Sequence, residues 1–294
     1  MSATKKQRLP EIIGIGPGRT ATTWLHRVLE GHVDLPDRVK ETKFFSRYYE
    51  KGIDWYAWHF RNATGEKKVV EICPYLYKRE APERIKTHIP NCRVITTLRD
   101  PVDTAFSVYK MITHYAWARG SFEEVLQSRA DLAGGNQYAS HLKKWFDLFG
   151  RENVLITMFD ELRAEPQAYM NRVTGFMGIE PIALEARRDI GDDVNSFARA
   201  PRSRHLARNA RKLMDWLQEH HAYGVSNMIE RVGIYDYCYG RGELFARLTP
   251  EQEERLRKQY LPEVEQLEEL LGIDLSSWKQ PRARRAVEGA RRAG

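Results

Sequence analysis

The stretch Glu11–Trp24, EIIGIGPGRTATTW, decides the fold. Glu11–Ile15 is a short apolar run that reads as a buried strand. Gly16 and Gly18 follow it, and from Thr22 to Leu29 the pattern becomes helical. A strand that passes through a glycine-containing loop into a helix is a shape that binds phosphates. The glycines let backbone N–H groups turn toward an anion, and the helix start adds the positive end of its dipole.

Outward from this stretch, short apolar runs alternate with longer helical patterns, the βαβ signature of a parallel sheet. Val33–Pro36 is a candidate strand, and Lys68–Ile72 another, followed by a helix over Ala81–His88 with Pro82 in its first turn. Arg93–Thr97, RVITT, is β-branched and apolar, and a helix follows it from about Val102 to Tyr115. Asn153–Phe159 is a fifth strand, with helices filling most of the rest. Thr249 is placed to cap a helix that has Pro250 at its first position, acids in its first turns and Gly272 after its last residue, Leu271. The expected fold is α/β, a central parallel sheet flanked by helices with a P-loop-like anion-binding loop after the first strand. Residues 1–9 are expected to be a flexible N-terminus, 10–278 a single domain, and 279–294 a basic, disordered tail.

The charge distribution argues against a nucleic-acid partner. The chain of 294 residues carries a net +7. Six cations against one acid lie in residues 279–294 and three cations in residues 1–9, which leaves the body near neutrality. A folded nucleic-acid face needs its charge clustered on the body. One body segment is locally basic, Arg199, Arg202, Arg204, Arg208, Arg211 and Lys212. No apolar run has the length of a membrane span, and Met1–Pro10 has charge without an apolar core, so the expected compartment is the cytoplasm. Cys73, Cys92 and Cys238 are too few and too widely spaced for a disulfide framework or a zinc site, and no metal is expected.

Three chemistries can use the loop. A nucleotide kinase needs a lysine where Thr22 stands. A dinucleotide fold needs G-x-G-x-x-G/A, which Gly16, Gly18 and Ala21 satisfy, with Asp34 or Asp37 near the position of the ribose-binding acid. A phosphosulfate suits the third feature, the cation Arg19 ahead of the hydroxyls of Thr20, Thr22 and Thr23. The dinucleotide reading makes the chain an NAD(P)-linked oxidoreductase. A non-enzymatic binder of phospho-ligands or nucleic acid through the basic tails is a further alternative.

The stretch GRTATTWL resembles the 5′-phosphosulfate loop of sulfotransferases, in which a Lys or Arg precedes Ser/Thr-Gly-Thr-Thr-Trp-Leu. Arg19, Thr20, Thr22, Thr23, Trp24 and Leu25 match it, and Ala21 stands in place of the usual glycine. RVITTLRDPVDTAFS is similar to the family's second motif, an Arg after a strand and a Ser eight residues later. The resemblance assigns Arg99 and Ser107 to the 3′-phosphate of 3′-phosphoadenosine-5′-phosphosulfate, and Gly18 through Trp24 to the phosphosulfate. It implies transfer of a sulfuryl group to a hydroxyl or amine of a small-molecule, lipid or saccharide acceptor, leaving adenosine 3′,5′-bisphosphate. The stretch from Leu248 to Trp278 also looks like the closing helix of bacterial members.

Two residues compete to be the general base. His88, in KTHIP, precedes the Arg93–Thr97 strand whereas Arg99 follows it, and six extended residues separate the two ends by roughly 20 Å. His88 therefore reads as a helix-end cation near the opposite sheet edge. Glu41 follows Val33–Pro36 and belongs on the loop's edge. Its segment KETKFF resembles the Lys-Glu-x-His-Phe-Phe element of heparan sulfate-type sulfotransferases, whose glutamate is the base. Lys43 replaces the histidine and is a candidate to steady the carboxylate or an anionic acceptor. Ile72 stands where such enzymes often carry a lysine, so the charge on the leaving group falls to Arg19 or another cation. Arg202 and Arg204, with Arg241–Gly242 as a rival, are candidates to complete the 3′-phosphate site. The aromatic cluster Phe44, Phe45, Tyr48, Tyr49, Trp55, Tyr56 and Trp58 divides between core and acceptor pocket in a way the sequence leaves open.

Overall fold

β-branched and apolar residues with no polar face, as in RVITTL, form strands that bury both surfaces, and that is how the chain builds its sheet. A computed structural model describes residues 8–129, 137–184, 199–201, 203–231, 239 and 241–281. In chain order the elements are β1 (Ile12–Gly14), α1 (Thr22–Leu29), α2 (Ile53–Ala57), β2 (Val70–Ile72), α3 (Ala81–His88), β3 (Arg93–Leu98), α4 (Pro101–His114) and α5 (Phe122–Ser128). There follow α6 (Tyr138–Phe149), β4 (Val154–Met158), α7 (Phe159–Ala164), α8 (Pro166–Met177), β5 (Arg199–Pro201), α9 (Arg204–Glu219), α10 (Tyr223–Arg231), β6 (Arg241–Leu244), α11 (Pro250–Leu271) and α12 (Ser276–Lys279). They form two compact units. The first comprises the described residues within Met1–Arg99, Lys144–Ser196 and Met214–Met228, and the second those within Asp100–Lys143, Phe197–Leu213 and Ile229–Gly294.

The first unit holds the expected parallel sheet, in the order β2-β1-β3-β4. Gly14 of β1 stands opposite Ile72 on one side and Ile95 on the other. Chain order reverses between β1 and β3, and the carboxyl ends of strands at such a switch point are where open α/β sheets bind ligands. Trp24, Leu25 and Leu29 of α1 pack with Ile12, Val70, Ile72 and Ile95 of the sheet and with Met170, Val173 and Met177 of α8. Each large apolar side chain so buried contributes about 1.5–3 kcal/mol.

Val33–Pro36 does not become a strand. It touches the sheet through one parallel bridge, Asp34 to Val69. Pro36 has no N–H to extend the ladder. Among the described residues the parallel sheet therefore has four strands, one fewer than expected.

The second unit is built on capped helices. Asp100 caps α4 by accepting from Val102 N at 2.9 Å, with Pro101 at the first position. Thr249 and Gln252 form a reciprocal capping box on α11, and Gly272 ends that helix with φ 67°. Arg257, buried on α11, reaches Asp100 at 3.2 Å, Glu253 at 2.6 Å and the Trp278 carbonyl at 2.5 Å. A charge this deep needs such partners. The unit also contains an antiparallel pair, β5 with β6. A Cβ on Gly242 would lie 2.1 Å from the Ala200 carbonyl oxygen, so only glycine lets these strands meet.

Candidate active site

The loop after β1 turns through left-handed backbone at two non-glycine residues, Arg19 (φ 75°) and Ala21 (φ 62°). Buried Thr20 donates from Oγ1 to the Pro17 carbonyl at 2.8 Å, which closes the loop on itself. Ala21 is the N-cap of α1 and offers that helix no side-chain hydrogen bond. The first N–H groups of α1 are thus not capped by the Ala21 side chain and can receive an anion. A Cβ added to Gly18 would meet nothing within 4 Å, so the loop is open on that side. Thr22 and Thr23 are half-buried in the first turn of α1. Trp24 faces the other way, into the core, with its ring edge-on to Tyr169 at 5.9 Å.

Arg99 follows β3 directly and joins the loop. Its Nη1 donates to the Arg19 carbonyl at 3.2 Å, and its guanidinium lies over the Phe159 ring at 4.5 Å. Ser107 is buried on α4 in the second unit, seven residues into the helix. Arg202 lies outside the described residues. Three cations of the same stretch have protein partners. Arg199 donates to the Gly242 carbonyl at 3.1 Å, Arg204 to the Ala118 carbonyl at 3.1 Å, and Arg211 sits over the Trp117 ring at 4.9 Å. The two segments that compete in sequence, Arg199–Lys212 and Arg241–Gly242, are joined, since Pro201 of β5 pairs with Arg241 of β6.

Glu41 reaches the loop through Lys40. Lys40 Nζ is 2.7 Å from Glu41 Oε1 and 3.4 Å from Thr22 Oγ1, and both charged side chains are about a quarter exposed. Burial lowers the pKa of nearby His26 below its usual value, and the Lys40 charge lowers it further. The Glu41 carbonyl accepts from Gln218 Nε2 at 2.8 Å. Lys43 turns the chain with φ 55°, and its carbonyl accepts from Arg47 N at 2.8 Å. Arg47–Asp215 (2.9 Å) and Lys51–Glu219 (3.4 Å) tie the segment to the last turns of α9.

Beneath Glu41 lies Glu71, the central residue of β2, wholly buried. It accepts from Thr42 N at 3.2 Å, from the Thr42 hydroxyl, and from Tyr56 Oη at 2.7 Å. Burial pushes its carboxyl up to about 7, and the Glu41 charge adds to the rise, while the hydrogen bonds from Thr42 and Tyr56 oppose it.

His88 ends α3, as expected, and packs against aromatic side chains. Its ring lies 6.4 Å from both Phe44 and Phe45, and its Nε2 is 3.0 Å from Tyr49 Oη. α3 folds back over the aromatic cluster that follows Glu41, a contact that strand geometry alone does not reveal. Within that cluster Phe44, Phe45, Tyr48 and Tyr56 are core, whereas Tyr49, Trp55 and Trp58 keep some exposure. Trp58 is held between the Arg61 guanidinium at 3.7 Å and the His221 ring at 4.2 Å.

A family model described as a sulfotransferase domain matches residues 9–194, which include the loop, the Lys40–Glu41 pair and Arg99. The chain belongs to the sulfotransferase domain family. Human bifunctional heparan sulfate N-deacetylase/N-sulfotransferase 3 is 33% identical over 200 residues, 59% of this chain and 23% of that protein. The mouse N-deacetylase/N-sulfotransferase 4 is 31% identical over the same length and the same shares. The chain thus spans less than a quarter of the length of these curated relatives. A sulfotransferase of solved structure from Alicyclobacillus acidocaldarius superposes with a TM-score of 0.66 at 22% identity, covering 93% of this chain and 100% of that one. It shares the fold, and the family makes this sulfotransferase an enzyme.

Two residues of the site escape sequence reasoning. Lys40 reads as a neutralising neighbour of Glu41, yet its Nζ also reaches Thr22 of the loop. Glu71 is hidden inside an apolar strand. The signal available was the acid itself, since a lone carboxylate in the run VVEIC is costly to bury without purpose.

Proposed function

We propose that this sulfotransferase takes its sulfuryl group from 3′-phosphoadenosine-5′-phosphosulfate and passes it to a hydroxyl or amine of a small-molecule, lipid or saccharide acceptor, with Glu41 as general base. The observation that carries this reading is the Lys40 bridge, 2.7 Å to Glu41 and 3.4 Å to Thr22, which sets a carboxylate beside the anion-receiving loop. The residues fit the nucleotide. The open side of Gly18 and three cations, Arg19 within the loop and Lys40 and Arg99 against it, gather at one edge of the sheet.

When bound, the donor supplies an electrophilic sulfur whose bond to the bridging phosphate oxygen breaks as the acceptor's bond to sulfur forms. Glu41 takes the proton the acceptor loses, so that its attacking atom bears no positive charge. Lys40 and Arg19 balance the charge that builds on the departing oxygen, the duty that Ile72, buried in the core, cannot perform. Arg99 holds the 3′-phosphate, a role the sequence likeness extends to Ser107. Lys43 steadies an anionic acceptor. The names of the curated relatives favour a saccharide amine as the first acceptor to test.

Glu41→Gln keeps the side chain's shape and removes its basicity. Turnover of labelled donor is expected to fall by about 10²–10⁴-fold. The melting shift produced by adenosine 3′,5′-bisphosphate should stay as in the parent, and NAD(P) should produce none. Unchanged turnover refutes the base.

A further inference from the structure

The peptide bond between Glu41 and Thr42 is held at both ends. Its carbonyl oxygen accepts from Gln218 Nε2 at 2.8 Å, and its N–H donates to Glu71 Oε1 at 3.2 Å. The Thr42 hydroxyl donates to the same carboxylate and accepts from Phe44 N at 3.2 Å. Tyr56 Oη and, at longer range, Tyr75 Oη complete the surroundings of Glu71. All these partners are neutral. The sheet needs no carboxylate here, because β2 joins β1 through backbone hydrogen bonds. An apolar side chain would avoid the desolvation of a buried charge. The strongest contacts of this carboxylate converge on the residue after Glu41.

We propose that Glu71, assisted by Gln218, is a positioning residue for sulfuryl transfer, fixing the Glu41–Thr42 peptide plane so that the Glu41 carboxylate faces the loop after β1. This rests on the reading of Glu41 as the base. The ionised carboxylate accepts from every donor around it, whereas a protonated one fits only if the Tyr56 or Tyr75 hydroxyl reverses to accept its O–H. The ionised form accepts all of these donors at once, with no reversal of a phenol, and we take it as the form that holds Glu41.

The groups facing Glu71 are the phenols of Tyr56 and Tyr75, the thiols of Cys73 and Cys92, and the Glu41 carboxylate. Burial pushes both phenols and both thiols above their usual range, so they stay neutral around pH 7. Glu71 itself is raised from an ordinary 4.5 to about 7. Its folded form therefore holds a proton that the unfolded chain has already released. The stability this gives is complete below about pH 4.5 and is lost as pH rises through 7. The active, ionised form is the one the fold favours less.

The test uses the full chain and needs no acceptor other than water. It follows hydrolysis of labelled 3′-phosphoadenosine-5′-phosphosulfate against pH, binding of adenosine 3′,5′-bisphosphate, and hydrogen exchange of the Thr42 amide. Glu71→Gln should slow hydrolysis by about 10–100-fold, leave bisphosphate affinity within about twofold and raise Thr42 exchange by about tenfold or more. The parent rate should show an acid limb near pH 7 that Glu71→Gln lacks. The melting temperature of Glu71→Gln should gain on the parent between pH 5 and 8. If Glu71→Gln does not fold, Tyr56→Phe removes one donor and should move the limb to higher pH. Parent-like rate and Thr42 protection in Glu71→Gln, or an unmoved limb in Tyr56→Phe, overturns the proposal. Full hydrolysis by Glu41→Gln sinks the base assignment instead, and Thr42 exchange then still decides whether Glu71 holds this peptide.

Discussion

The loop after β1 and the basic stretch around β5 and α9 both bring cations and loop-forming residues together, yet the surroundings of those cations differ. At the loop the first N–H groups of α1 receive no side-chain cap from Ala21, and Lys40 links Thr22 to a half-buried carboxylate. In the second unit three arginines of the stretch are engaged by carbonyls and rings: Arg199 with Gly242, Arg204 with Ala118, Arg211 with Trp117. A count of cations does not distinguish the two regions. What distinguishes them is the neighbour: Lys40 and Arg99 lie against a turn that is open at Gly18 and leads into a helix start, whereas Arg199, Arg204 and Arg211 bridge elements of their own unit.

The sharpest way to break this comparison is to move the same change between the regions. Arg99→Ala removes a guanidinium assigned to a phosphate and also releases its bond to the Arg19 carbonyl. A charged hydrogen-bond donor of this kind is worth about 1.5–3 kcal/mol, so affinity for adenosine 3′,5′-bisphosphate should fall by about 10–100-fold in titration calorimetry. Arg204→Gln removes a guanidinium whose observed partner is the Ala118 carbonyl. Bisphosphate affinity should stay within about twofold, and stability should fall by about 1 kcal/mol in urea melts. A loss of affinity in Arg204→Gln as large as that in Arg99→Ala would erase the distinction and assign the basic stretch to the nucleotide.

The parallel sheet was legible because RVITT and the first strand are bounded by clear breaks, and because the glycine loop announces where the first strand ends. The edge on which Arg99 and the loop meet followed from strand order alone. Val33–Pro36 misled because apolar content resembles a strand until Pro36 is asked for its N–H. β5 and β6 were invisible because RAP and RGEL have no alternating pattern. Their pairing depends on the absence of a side chain at Gly242. Glu41 was singled out by the resemblance of KETKFF to a family element, and its contact with the loop runs through Lys40. Lys40 and Glu71 were not, since each acts through a contact with a residue far away in sequence: Thr22 for the first, Thr42 and Tyr56 for the second. Local pattern reports which face a residue takes but not which distant group it meets.

The smallest expected effect concerns Ala21, the one residue of the loop that departs from the sulfotransferase pattern. The sequence suggests that its methyl crowds a phosphate. The backbone gives a different reason for glycine at this position, because Ala21 is left-handed with φ 62°. A Cβ in that conformation costs about 1–2 kcal/mol, of which glycine returns up to about 1 kcal/mol through its freer unfolded chain. Ala21→Gly should therefore raise stability by about 0.5–1 kcal/mol, a rise of roughly 1–4 °C in melting temperature. The two explanations separate on bisphosphate affinity. Relief of backbone strain moves the melting temperature with and without nucleotide by the same amount, whereas relief of crowding enlarges the nucleotide-induced shift. An equal rise in both melts would place the cost of Ala21 in the fold and leave the site on the Lys40 side of the loop untouched.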